Sequence, residues 1–235
     1  QGEGPTTGVP AVFLRLQGCN LLCGGSEILK TGQLDGATWK CDTLDVWTSG
    51  ITVQISALLN EWGDNGWLDS LKNGAHLIIT GGEPLLHTKK IQLLLEHLSN
   101  RLEIMPSIEI ETNGTITPTK ALYAHNIHYN VSPKLSNSGM PKSRRCVTNA
   151  LTQLVGYNNS IFKFVVSDSE DVKELIDTYV RPFNIPNTRV YLMPAAETQE
   201  ALKKKLHWVV DCCKETGFRL SNRLHVMIWG MTTGV

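Results

Sequence analysis

Three cysteines, Cys19, Cys23 and Cys41, follow the apolar run Ala11-Val12-Phe13-Leu14-Arg15-Leu16 and precede the glycine turn Thr80-Gly81-Gly82-Glu83-Pro84. Thiolates are soft ligands that suit iron–sulfur clusters or zinc, and a [4Fe–4S] cluster usually takes four of them. Three local thiolates would leave one iron open to a substrate or cofactor. Zinc sites favour Cys-x2-Cys or Cys-x2-His knuckles and, when structural, a closed fourth position. Neither spacing surrounds these cysteines, so the cluster is the favoured reading and a non-enzymatic zinc protein the distant alternative.

The other three thiols, Cys146 and the adjacent pair Cys212-Cys213, do not make a secreted disulfide framework. They read as small packed hydrophobes. Lys plus Arg and Asp plus Glu each total 22, with no basic stripe, which argues against nucleic-acid and membrane-surface partners and for a small ligand. No apolar run approaches the roughly 20 residues that span a bilayer, and the first residues lack the basic-then-apolar pattern of a signal peptide. A cytoplasmic location with reduced thiols is the expectation. The 235 residues, 41% of them hydrophobic, are enough to bury a sizeable core as one domain.

The elements that must hold these residues alternate between short strand-like runs and helical patterns, the signature of βαβ units and a parallel sheet. Six strands are expected: Val12 to Leu16, Leu77 to Thr80, Ser107 to Glu111, Ile127 to Val131, Phe162 to Val166 and Val190 to Met193. Helices are expected over Thr52 to Trp62; Thr88 to Leu98, with Thr88 as N-cap; Pro118 to Ala124; Glu170 to Tyr179, capped by Asp168 or Ser169; and Thr198 to Thr216, closed by Gly217. Right-handed crossovers would wind these units into a barrel or an open doubly wound sheet, with ligand groups on the loops after the strand C-termini. Four strand ends carry the distinctive sequences: Thr80-Gly81-Gly82-Glu83-Pro84, Glu111-Thr112-Asn113-Gly114-Thr115, Ser132-Pro133-Lys134 and Pro194. Alone, Gly81-Gly82 reads as a tight turn that needs positive φ. At a strand end the same glycines also let backbone approach a ligand, with Glu83 able to accept from an ammonium or ribose hydroxyl.

The ordered set resembles the radical S-adenosylmethionine (SAM) superfamily and, within it, the 7-carboxy-7-deazaguanine synthase family. The pieces that carry the resemblance are Gln1-Gly2-Glu3-Gly4, Arg15-Leu16-Gln17-Gly18-Cys19-Asn20, Cys41-Asp42-Thr43, Thr80-Gly81-Gly82-Glu83-Pro84, Glu111-Thr112-Asn113-Gly114, Ser132-Pro133-Lys134, and the tail from His225 through Trp229-Gly230 to Val235. The resemblance covers nearly the whole chain. It implies an α/β fold, an incomplete (β/α)6 barrel on a parallel sheet, and a [4Fe–4S] cluster on Cys19, Cys23 and Cys41 whose open iron takes the amino and carboxylate groups of SAM. It implies reductive cleavage of SAM to a 5′-deoxyadenosyl radical, which takes a hydrogen from C6 of 6-carboxy-5,6,7,8-tetrahydropterin. Ring contraction and loss of ammonia then leave 7-carboxy-7-deazaguanine.

By the same resemblance, Gln1, Gly2, Glu3, Arg15 and Thr80 contact the pterin, and the Val235 carboxylate folds over the pocket with His225 nearby. Arg15 suits a substrate carboxylate because a guanidinium fork can make a bidentate, charge-assisted pair; a surface salt bridge is its plainer reading. Lys40, Asp42, Gly82, Glu83, Ser132, Pro133, Lys134 and the Leu192-Met193-Pro194-Ala195 turn belong to SAM. Thr43 is expected to ligate Mg²⁺, a hard cation suited to oxygen ligands, or, on its residue type alone, to cap the segment from Asp45 onward. A homodimer and an electron donor such as a flavodoxin or ferredoxin complete the expected partners.

Common radical SAM proteins space the cysteines Cys-x3-Cys-x2-Cys, whereas here residues 24–40 separate the second from the third. Gly24-Gly25, Gly32 and Gly36 make this stretch read as a flexible insertion in the cluster loop, and residues 222–235 read as a tail that closes the site. A nearer functional alternative is a radical SAM activase that places a glycyl radical on a protein. Gln1-Gly2-Glu3-Gly4, Arg15 and Thr43 argue against it.

Overall fold

The computed structural model of the protein describes residues 1–230 and 232. Seven parallel strands form one sheet in sequence order: β1 (Ala11–Leu16), β2 (His76–Gly81), β3 (Ile108–Thr112), β4 (His128–Val131), β5 (Ser160–Val166), β6 (Val190–Pro194) and β7 (Arg219–Leu220). Each strand pairs with its chain neighbours, so β1 and β7 remain edges and the barrel is open.

Winding in one direction explains the layers. Right-handed crossovers repeated in a constant sense put every connecting helix on the same side of the sheet. That side is apolar: Leu77 and Ile79, Ile108 and Ile110, Tyr129 and Val131, Phe162 and Phe164, and Val190 and Leu192 are all buried in the main core. Helix Thr88–Ser99 meets them with Ile91, Leu94, Leu95 and Leu98, and helix Gln199–Thr216 with Val209 and Cys213. Successive strand side chains face opposite ways. Arg15, Thr80, Glu109, Glu111, Asn130, Lys163 and Met193 therefore share the inner face, which is polar where the outer face is greasy.

The six expected strands lie within two residues of their observed bounds. The seventh is only Arg219–Leu220, paired to Tyr191 and Leu192, too short for a period to show. Helix Thr88–Ser99 is capped differently from the expectation: His87 precedes it, and the Thr88 hydroxyl donates to the Leu85 carbonyl at 2.7 Å because a 3-10 turn, Pro84–His87, runs directly into the helix. The helix expected from Thr52 begins at Ile55 and ends at Asp64. Asp168 caps Ser169–Leu175 by accepting from Glu170 and Asp171 N–H, and the helix continues through a π-helical segment, Ile176–Val180. Gly217, with φ of +72°, closes the long helix as expected. Helix Thr148–Gly156 was not among the expected elements although Ala150, Leu151 and Leu154 sit at helical spacing.

Residues 24–40 are hydrogen-bonded to the segment that follows β4. Gly24 N–H donates to Ser138 O, Asp35 N–H to Gly24 O and Thr38 N–H to Asn137 O, and the Trp39 indole donates to Asn137 Oδ1 at 2.9 Å. Ile28 is buried beneath the loop. At Gly25 a Cβ would stand 2.1 Å from the Asp35 carbonyl, so the loop closes on itself only with glycine there. Among the described residues no helix is long and apolar enough to cross a membrane.

Candidate functional site

The chemistry gathers at the carboxyl ends of the strands. The loop after β1 carries Cys19 and Cys23 and returns through Cys41, and the three thiols share one apolar pocket with Leu21, Leu22, Trp39 and Met140. All six cysteines are free. Burial pushes the Cys19 thiol up and the Cys23 thiol up to about 11, while Lys134 pulls both the other way. Among the described residues no three His, Cys, Asp or Glu side chains converge on one point as a single ion requires. Three thiolates brought into one apolar cluster are soft donors of the kind that iron–sulfur clusters or zinc take.

Three strand-end loops are laced together around that pocket. Glu83 is fully buried, and its carboxylate accepts from Leu85 N–H at 3.0 Å, the Thr112 hydroxyl at 2.8 Å and Asn113 N–H at 2.7 Å. Burial raises its pKa even so. The Glu83 carboxylate thus spends three acceptor positions on the chain itself. Asn113 passes the connection on: its Nδ2 donates to Asn20 Oδ1 at 2.9 Å and lies 3.9 Å from the Cys19 sulfur. Asn20 in turn donates to Thr115 Oγ1 at 2.7 Å.

The glycine turn is a crossing of backbones. Gly81 has φ of +106°, and a Cβ there would lie 2.3 Å from Leu16 O; at Gly82 it would lie 2.0 Å from Gly18 O. Gly82 N–H donates to Leu16 O and Glu83 N–H to Gly18 O. Thr43 touches the same crossing. Its hydroxyl donates to Gly81 O at 3.1 Å and stands 3.3 Å from Cys41 Sγ. It makes no cap bond to the helix Leu44–Thr48 that follows, so the capping reading fails and the hydroxyl sits between Gly81 O and Cys41 Sγ.

On the inner face, Arg15 pairs in register with Thr80. Its guanidinium lies 5.1 Å from the Phe13 ring centre, it is exposed, and it makes no salt bridge among the described residues. The Thr80 hydroxyl donates to Glu111 Oε2 at 2.7 Å, and Gln1 Nε2 donates to Glu111 Oε1 at 3.0 Å. Gly2 is held against His225, where a Cβ would meet Nδ1 at 2.5 Å. Ser132, Pro133 and Lys134 follow β4, with Lys134 Nζ 3.3 Å from Ser132 Oγ and 5.7 Å from the Trp39 ring centre. Met193 lies on the inner face, but the Leu192 side chain is in the outer core, so any ligand contact from Leu192 falls to its backbone. Pro194 ends β6, and Ala195 N–H donates to Val166 O. Lys40 is exposed. Val235 lies outside the described residues.

Two cations at the centre carry no assignment from sequence. Lys163, on β5, pairs with Glu3, and Arg223 donates to Glu3 Oε1 at 3.1 Å, to the Ala196 carbonyl at 2.5 Å and to Asp42 Oδ2 at 2.7 Å. His225 Nε2 lies 3.8 Å from Glu3. Burial pushes the Glu3 pKa up, but Lys163, Arg223 and His225 outweigh it and bring it down to about 2. Burial pulls Lys163 and Arg223 down, and their carboxylates more than restore them, so both stay charged. His225 is lowered, burial prevailing over Glu3. Lys163 was legible in part, as a lone lysine among apolar residues in a strand pattern; Arg223, in a polar turn, gave no signal.

No family model matches the chain. The 7-carboxy-7-deazaguanine synthase of Pyrobaculum aerophilum is 34% identical to it, over 100% of this chain and 92% of that protein. That of Escherichia coli is 28% identical over 96% of this chain and 92% of its own length. A crystal structure of QueE from Escherichia coli aligns with a TM-score of 0.61 at 25% identity, covering 96% of this chain and 90% of that one. The structure of anSMEcpe with bound AdoMet, at 16% identity and a TM-score of 0.57, shares the fold.

Two outcomes follow from the buried carboxylates. Glu83→Ala strands three donors in the core and lowers the unfolding free energy by about 3 kcal/mol or more; urea denaturation measures it, and a loss under about 1 kcal/mol contradicts the lacing role. Glu3 has a depressed folded pKa, so its contribution is present above the ordinary carboxylate range and is lost as pH falls from about 4.5 toward 2. Wild type is more stable than Glu3→Gln at neutral pH, and the gap narrows on acidification. Urea midpoints that stay equally far apart down to about pH 3 contradict this.

Proposed function

The chain belongs to the 7-carboxy-7-deazaguanine synthase family, and from that premise we propose that it converts 6-carboxy-5,6,7,8-tetrahydropterin to 7-carboxy-7-deazaguanine with loss of ammonia, as a radical SAM enzyme. The observation that carries the reading is the gathering of Cys19, Cys23 and Cys41 in one pocket at the carboxyl end of an open parallel barrel whose inner face is polar. When bound, a [4Fe–4S] cluster with SAM supplies a 5′-deoxyadenosyl radical able to take hydrogen from an unactivated carbon.

The chain's own residues hold, orient and exclude. Cys19, Cys23 and Cys41 would hold the cluster, with Met140, Leu21 and Trp39 keeping water from it. Asp42, Gly82, Ser132, Pro133, Lys134 and the turn Met193 to Ala195 would take SAM, with Lys40 at the rim. Arg15 has a free guanidinium on the inner face and would pair with the substrate carboxylate. Thr80, Gln1 and Glu3 would order the pterin ring, with Gly2 and His225 beside it; Val235, outside the described residues, is proposed to contribute its carboxylate. Thr43 would give one oxygen to Mg²⁺, whose remaining positions fall to water and substrate.

On this reading the 235 residues are one domain, with 24–40 an insertion and 222–235 a closing tail. The enzyme is a cytoplasmic homodimer that receives its electron from a flavodoxin- or ferredoxin-like donor, and it needs neither nucleic acid nor membrane.

Anaerobic incubation of the reconstituted protein with the tetrahydropterin, SAM and a chemical reductant, read by mass spectrometry, yields 7-carboxy-7-deazaguanine; SAM cleavage without that product rejects the substrate. Arg15→Ala keeps SAM cleavage and loses product by about a hundredfold, the scale of a misplaced substrate; unchanged turnover removes Arg15 from the site. Thr43→Ala abolishes stimulation by Mg²⁺, and if a magnesium titration of product formation is unaltered the metal assignment fails.

A further inference from the structure

Arg223 is almost completely buried, and each of its three nitrogens is spent on a different segment. Nε donates to Glu3 in the N-terminal segment, one terminal nitrogen donates to the carbonyl of Ala196 just after β6, and the other donates to Asp42 between Cys41 and Thr43. These are the pterin side, the SAM turn and the cluster loop in the functional reading above. No other side chain among the described residues donates to all three.

We propose that Arg223 is a positioning residue that makes the substrate segment, the turn after β6 and the cluster loop order as a single unit. The geometry gives the reason for arginine. A guanidinium presents donors in a fixed plane and can satisfy three acceptors at once, whereas an ammonium on a flexible stem is a point charge. The two carboxylates differ in what they need from it. Glu3 is buried and has Lys163 as a second cation, so it keeps a partner if Arg223 is replaced. Asp42 is more than half exposed, with a side-chain accessibility of 57%, and its only ion pair among the described residues is Arg223. An exposed pair is individually weak, so its value lies in fixing where Asp42, and with it Thr43, stands relative to Glu3.

Backbone bonds set the frame for this linkage. Leu224 N–H donates to Gly2 O at 2.8 Å, and Gly4 N–H to Ser221 Oγ at 2.9 Å. The segment 221–224 is thus fastened to the N-terminal segment independently of the Arg223 side chain. Among the described side chains that fastening reaches across to the cluster loop through the guanidinium. Replacing it leaves the two halves of the site each intact and free to move against one another.

The inference rests on the proposed function for its catalytic consequence, though not for the coupling itself. Both are read on anaerobically reconstituted holoenzyme carrying Arg223→Lys, with Glu3→Gln as a second variant. Hydrogen exchange followed by mass spectrometry reports peptides 1–9, 40–48 and 195–198 in each. In Arg223→Lys all three exchange faster, and in Glu3→Gln, where the substitution touches only the first, the 40–48 peptide also exchanges faster. Product formed per 5′-deoxyadenosine released falls about tenfold in Arg223→Lys, with iron content as in wild type, because SAM is cleaved beside a misplaced substrate. Faster exchange confined to peptide 1–9 in both variants overturns the coupling, whatever the enzyme makes. A parallel fall in product and SAM cleavage, with their ratio unchanged, overturns the positioning role. Absence of any deazaguanine product from wild type, with the exchange pattern as expected, rejects the substrate reading and leaves the coupling standing.

Discussion

The site depends on one buried carboxylate. Glu83 has no contact with solvent, and burying an ionisable group without partners is prohibitive. Its three donors come from its own turn and from the end of β3, while its N–H is spent on Gly18 in the loop after β1. The loops leaving three adjacent strands are thereby fixed to one residue. The cysteine loop, which has little regular structure, takes one of its ties to the sheet from this residue, beside those of Asn20 to Asn113 and Thr115. Gly81 and Gly82 serve the same end, since any side chain there would occupy the space of the Leu16 and Gly18 carbonyls.

A second constraint works across the inner face. Parallel strands wound in one direction bury a greasy outer face under helices and leave the inner face to polar groups, which must find one another or a ligand. Most have done so: Glu109 takes His76 and Asn130, Glu111 takes Thr80 and Gln1, and Glu3 takes Lys163 and Arg223. Arg15 is the exception, charged, exposed and opposite Thr80. Its guanidinium makes no salt bridge among the described residues, which is what supports the proposal that it takes an anionic ligand group. The inner network also explains why Glu3 stays ionised although most of its side chain is out of solvent, its two strong cations outweighing the cost of desolvation.

The strands and the placement of the cysteines were legible because period-two apolar runs and soft ligands are local signals. Six strands could be read from five or so consecutive residues each. β7 could not, being two residues whose only evidence is pairing with β6. The motif Gly81-Gly82-Glu83 was visible, but the three donors that hold the Glu83 carboxylate were not, because sequence does not say where a side chain's donors come from. Thr43 was open between cap and ligand in the sequence, and the direction of its hydroxyl removes the cap. Arg223 was invisible for a similar reason, since its partners, Glu3, Asp42 and Ala196, are far away in the chain. Residues 24–40 looked loose from their glycines, yet Gly24 N–H reaches Ser138 O, Thr38 N–H reaches Asn137 O, and at Gly139 a Cβ would stand 2.9 Å from Asp35 O.

The account turns on one iron that the polypeptide does not ligate. Electron paramagnetic resonance of the anaerobically reconstituted, reduced protein, recorded before and after SAM is added, addresses it most directly. About four irons per chain and a signal whose shape changes on adding SAM are the predicted result. Bound zinc without a cluster, or a cluster signal indifferent to SAM, would contradict it.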